Sequence, residues 1–127
     1  MGITVCWDDQ VAGCVVMSCD REWDWMALRQ AALDVIAMEA SANRLVDVII
    51  DLRQGAPRFR LDDMGHIHRL LALCPEGNQG PIVLVTRDPR ISAVVRVARR
   101  MFTRLSRRLL VAETLEEARQ LVVQRRT

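Results

Sequence analysis

The run Val46-Asp47-Val48-Ile49-Ile50-Asp51-Leu52 constrains the fold of this chain more than any other stretch. It is short, rich in β-branched residues and apolar except at Asp47 and Asp51, so it reads as a strand with both faces covered. Strands of this kind belong to mostly parallel sheets packed under helices. Ile82 to Val85 is a second such run, and Leu109-Leu110-Val111 a third. Helical patterns separate them. Met64, Ile67, Leu70, Leu71 and Cys74 share one face of a helix from about Asp62 to Cys74. Ile91, Val94, Val95, Ala98, Met101, Phe102 and Leu105 give the cleanest helical period, with Arg96, Arg99, Arg100 and Arg104 on the other side.

Ile3 to Trp7 and Val11 to Met17 flank the polar Asp8-Asp9-Gln10, a hairpin whose short turn lacks glycine. Asp24 is placed to cap a helix from Trp25 to about Ala40, with Trp23 and Leu28 spaced as a hydrophobic staple. Trp23 and Trp25 either anchor that helix on the sheet, the simpler reading, or line a ligand cleft. Gly55 and Pro57 set a loop from Arg53 to Arg60, and Pro75, Gly77, Gly80 and Pro81 another. Thr114-Leu115-Glu116-Glu117 is a capping box opening a last helix that turns Leu115, Ala118, Leu121 and Val122 inward. The expected fold is α/β: a single-layer, mostly parallel five-stranded sheet with an antiparallel edge strand and about four helices, in the order β-β-α-β-α-β-α-β-α.

At 127 residues, 50% hydrophobic and 27% charged, the chain has the length and composition of one domain, residues 1–127, with a real core. No apolar run approaches the roughly 18 residues that suggest a membrane span. Asp8, Asp9 and Gln10 interrupt the N-terminal segment early, so a cytoplasmic location is the default expectation. Cys6, Cys14, Cys19 and Cys74 match no zinc or redox spacing and read as buried free thiols, although Cys6 and Cys14 can approach across a hairpin.

All 18 basic residues are arginine, and the net charge is +2. From Arg87 to Arg108 eight arginines face one acid, Asp88. Arg96, Arg99, Arg100 and Arg104 form a basic patch suited to phosphate or an acidic protein. Nucleic acid is the weaker expectation, because aromatics do not interleave the patch. His66 and His68 diverge by roughly 200° on a helix and do not chelate one metal. Asp51 ends the central strand, with Asp62 or Asp63 at the next helix start. Open α/β sheets place ligands beyond that edge, and paired carboxylates can bind a divalent cation or divide acid and base roles. No nucleophile with a base and no phosphate-binding glycine loop accompanies them, so no catalytic residue, metal or cofactor is assigned.

The element order, the hairpin, Trp23 before the first helix, Val46 to Leu52 and Thr114-Leu115-Glu116-Glu117-Ala118 together resemble the STAS domain. That is the fold of bacterial anti-anti-sigma factors, found also as a cytosolic domain of sulfate transporters. The resemblance implies a non-enzymatic regulatory or protein-interaction domain. It places the partner surface around Asp51, Arg53, Arg58, Arg60, Asp62, Asp63 and Gly65, or on the basic patch. The family's phosphorylatable Ser or Thr is absent: none occurs between Leu45 and Cys74. Asp62 or Asp63 stands near the switch position, where one carboxylate supplies about −1 against roughly −1.5 to −2 for phosphate. Acids in a first helical turn also simply favour the dipole. A protein partner is expected, a homodimer through an edge strand is conceivable, and a small-ligand module or enzyme using the carboxylates is the alternative.

Overall fold

The computed structural model describes residues 2–44, 46–55, 60–73 and 80–126. Its elements are β1 (Ile3–Trp7), β2 (Cys14–Cys19), α1 (Trp25–Ala42), β3 (Asp47–Asp51), α2 (Met64–Leu73), β4 (Ile82–Val85), α3 (Pro89–Met101), β5 (Leu109–Ala112) and α4 (Leu115–Arg126). Single 3-10 turns at Leu61–Asp63 and Thr103–Leu105 precede α2 and follow α3. The strands lie in chain order, β1 to β5, with β1 antiparallel to β2 and the rest parallel. The expected mixed five-stranded sheet with four helices is therefore present.

The hairpin turn differs from the sequence reading. β2 starts at Cys14 instead of Val11, because Asp8 organises a longer turn: its Oδ2 accepts from the Val11 amide at 2.9 Å, and its own amide donates to the Cys14 carbonyl. Gly13, at φ 72°, supplies the left-handed residue this turn needs. The turn has its glycine after all, displaced toward β2. α3 also ends sooner than its apolar period implies. Phe102 adopts an extended conformation, and a 3-10 turn carries Leu105 onward. Hydrophobic spacing cannot register such a break, since Ala98 before it and Leu105 after it are both buried.

The caps expected at Asp24 and Thr114 are present, and Asn43 adds one that the sequence reading did not name. Asp24 accepts from the Ala27 amide at 2.8 Å, and Asn43 closes α1 in the left-handed region. In the last box Thr114 Oγ1 accepts from the Glu117 amide, while Glu117 reaches back to the amide of Glu113 instead of that of Thr114.

A sheet that grows in one direction with one crossover hand sets its crossover helices on one face. α1 and α3 pack there on Val15, Met17, Ile50 and Leu84, and α2 joins them against α3. α4 has no following strand and covers the opposite face. There Ala118 and Val122 pack on Ile49, Val83 and Val85, and all five are fully buried. Arg119 of α4 forks onto Asp8, Nη2 to Oδ1 at 2.8 Å, and so ties the hairpin turn to this layer.

Cys14 and Cys19 are buried and free; Cys6 is exposed, which corrects its expected burial, and Cys74 lies outside the described residues. Cys6 sits opposite Val16, so the hairpin does not bring it onto Cys14. Burial, then nearby aspartates, pushes the thiols of Cys14 and Cys19 up to about 12. Native protein treated with iodoacetamide near pH 8 should therefore be alkylated at Cys6 and protected at Cys14 and Cys19 by peptide mass spectrometry; comparable labelling of all three would contradict this packing.

Candidate ligand-binding site

The register aligns two apolar rows across the sheet on the α1–α3 side: Val15-Val48-Ile82-Leu109 and Met17-Ile50-Leu84-Val111. In central strands both faces should be equally dry. They are not. Ile49, Val83 and Val85, under α4, have 0% exposure, whereas Val48, Ile50, Ile82 and Leu84 stay partly exposed. The physical cause is a gap. α2 packs on α1 and α3 and leaves between itself and the sheet a cavity of about 190 Å³.

The floor of the cavity is Met17, Val48, Ile50, Ile82, Leu84 and Leu109. One wall is the inward stripe of α1, from Trp25 and Leu28 to Ala32, Val35 and Ile36. Ile67, Leu70 and Leu71 of α2 roof it, and Val94, Val95 and Ala98 of α3 close the other side. The charged side chains on its wall are Glu39 and Arg108. Both are buried and structurally engaged: Glu39 Oε1 accepts from the Val46 amide at 3.3 Å, and Arg108 Nε donates to the Gly80 carbonyl at 2.7 Å.

Trp23 and Trp25 combine the two roles the sequence left open. Trp23 Nε1 donates to the Gly55 carbonyl at 3.3 Å, and the two indoles meet edge to face at 5.8 Å. Trp25 Nε1 donates to Asp63 Oδ1 at 3.2 Å, and its ring stacks on His66 with centroids 5.0 Å apart. These contacts latch the start of α2 onto α1 while both indoles line the cavity. His68 turns the other way and stacks on Phe102. The histidines diverge, and each packs against a ring, His66 half-buried on Trp25 and His68 exposed on Phe102.

The carboxylates nominated from sequence are engaged one by one. Asp51 is held by Arg53 at 2.8 Å, and Asp63 Oδ2 accepts from the Arg60 amide. Asp62, Arg60 and Gly65 are exposed; Arg58 lies outside the described residues. Within the basic patch, Arg99 donates to the Ser106 carbonyl, and Arg104 to the Leu71 carbonyl at 3.3 Å, fastening the turn after α3 to α2. Arg96 and Arg100 face outward beside Val97 and Met101, the latter 54% exposed. The proposed patch thus divides into two braces and two surface charges. Among the described residues no three His, Cys, Asp or Glu side chains converge as metal ligands, and no helix is long and apolar enough to cross a membrane.

For Asp8, burial pushes the carboxyl up, but the Arg119 side chain and the Val11 and Gln10 amides outweigh it and hold it below 3.8. Burial likewise raises Asp51, and Arg53 more than reverses it. Asp88 is lowered by the side chain and amide of Arg90. A carboxylate depressed on folding stabilises the native state fully above its unfolded value, and that contribution disappears as pH falls through the folded value. Urea midpoints should accordingly stay level on this account from pH 7 to about 5 and then drop below about 4. A D8N/D51N/D88N variant should lose most of that acid slope; an undiminished slope would assign it to other groups.

Comparison of the chain with protein-family models, with curated proteins and with solved structures returned no match.

Proposed function

We propose that this chain is a regulatory binding domain that holds a small apolar molecule between its sheet and α2, and that the occupied α2 face is read by a protein partner. The supporting observation is the asymmetry of the central strands, dry under α4 and open under α2. An apolar cavity of roughly 150 Å³ elsewhere stays dry and accepts benzene, so about 190 Å³ suits one ring or a short alkyl chain. The likeness to STAS domains in element order supports a regulatory role. With no phosphorylatable residue near the start of α2, ligand occupancy takes the place of phosphate in setting the state. Asp62, exposed beside this helix, belongs to the face the partner would meet.

The test is a titration with toluene and with straight-chain alcohols from butanol to octanol, followed by thermal unfolding and by tryptophan emission. Trp23 and Trp25 line the cavity and report its filling. At one hundred times Kd the native state gains about 2.7 kcal/mol. The response should peak at one chain length; no shift with any probe would overturn the proposal.

A second reading, contact with an acidic protein through α3, is favoured by Val97 and Met101 lying exposed beside Arg96 and Arg100. Such an interface would lose affinity in R96E/R100E while the toluene response stayed intact.

A further inference from the structure

At the N-terminal edge of the parallel strands, away from the carboxylates at the opposite edge, a cleft of about 310 Å³ is lined by Asp47, Gly80, Pro81, Arg107, Arg125 and Arg126. Four chain segments far apart in sequence meet there: the start of β3, the approach to β4, the turn before β5 and the last turn of α4. A fourth guanidinium stands close by. A Cβ placed on Gly13 would touch the Nη2 of Arg44 and lie 3.3 Å from the Nη2 of Arg126, so both groups share the space above that glycine.

Among the described residues the charges do not balance. Asp47 Oδ2 takes the Nε of Arg126 at 2.7 Å, which accounts for one guanidinium. Arg107 and Arg125 are exposed and line the same cleft, where the one carboxylate among the described residues is that of Asp47. The C-terminal carbonyls of α1 and α4 favour nearby cations and account for Arg44 just beyond α1 and for Arg125 and Arg126 in the last turn of α4. They do not explain convergence on one concavity, where like charges repel. Planar guanidinium forks directed into a common cleft match the oxygens of phosphate, which they bind bidentately.

We infer that this cleft binds a small polyphosphate, a pyrophosphate-bearing molecule being the class that fits the two forks of Arg107 and Arg125 beside the Asp47-held Arg126. Nucleic acid fits less well, because among the described residues no aromatic side chain lines the cleft for a base to stack on. The site lies at the other end of the strands from the start of α2 and does not depend on the apolar cavity.

Inorganic pyrophosphate titrated into the full chain by calorimetry, at two salt concentrations, tests the inference. Saturable one-to-one binding that weakens with salt is expected. R107Q and R125Q remove charges that brace no other element, and each should weaken binding about tenfold. R96Q/R100Q, with its charges on α3, should bind as the unaltered chain does. Circular dichroism establishes that each variant is folded. Absence of saturable binding, or equal weakening by R96Q/R100Q, overturns the site. Tighter binding of a DNA or RNA duplex than of pyrophosphate through Arg107 and Arg125 would overturn the ligand class.

Discussion

Replacing Arg119 by alanine is expected to destabilise the domain by about 3–5 kcal/mol, because it leaves a buried carboxylate without its counter-charge. The Asp8 side chain is 2% exposed, and both its oxygens accept from Arg119. The same carboxylate organises the hairpin turn through the Val11 amide. Loss of the guanidinium therefore acts at once on the turn, on the docking of α4 and on the pH profile. Without Arg119, burial of Asp8 is opposed only by backbone amides, so its carboxyl should rise and the acid limb of the stability curve shift to higher pH. The double variant D8A/R119A should recover part of the loss, since no unpaired charge remains. Urea denaturation of the two single variants and the double variant separates the pair from its surroundings. A cost for R119A under about 1 kcal/mol would mean that the pair behaves as a surface ion pair.

The second large effect runs the other way. Ala32 lines the cavity on the α1 wall, and Ala32→Phe should project a ring into the space over Val48 and Ile50. A cavity destabilises by about 24 cal/mol per Å³, so filling half of this one recovers on the order of 2 kcal/mol, against which any overpacking counts. A net rise in thermal midpoint with loss of the toluene and alcohol response is the expected outcome. Gain of stability and loss of binding in one variant is the pattern of a site whose emptiness has a use. A fall in the midpoint with binding retained would place the ring against packed side chains instead of open space. R119A should leave toluene binding intact in the folded fraction, because it lies on the other face of the sheet.

Local chemistry made much of the fold readable. The β-branched runs at Val46 to Leu52 and Ile82 to Val85 became β3 and β4, and Asp24 and Thr114 begin helices through bonds within a few residues. Asp51, Asp62 and Asp63 could be nominated from their places along the chain. Whether they meet depends on side-chain partners, and Arg53, Trp25 and the Arg60 amide engage Asp51 and Asp63 separately. The break at Phe102 was unreadable because Ala98 before it and Leu105 after it are both buried, while Met101, which the apolar spacing would place with them, turns out to solvent.

By itself the sequence determined the strand and helix order, the antiparallel edge, the N-terminal caps of α1 and α4 and most of each helix's inward face, all of which follow from spacing and side-chain type; Met101, inward by its spacing, is exposed. Tertiary structure alone decided that α4 crosses to the other face of the sheet and that α2 stands off it. It also decided that Asp8 meets Arg119 and that Arg44, Arg107, Arg125 and Arg126 gather at one strand edge. The reason is the range of the interactions. A cap or an apolar stripe is set within about one or two turns of chain, whereas a cavity is the space between elements that each satisfy their own pattern and still do not fill the gap between them.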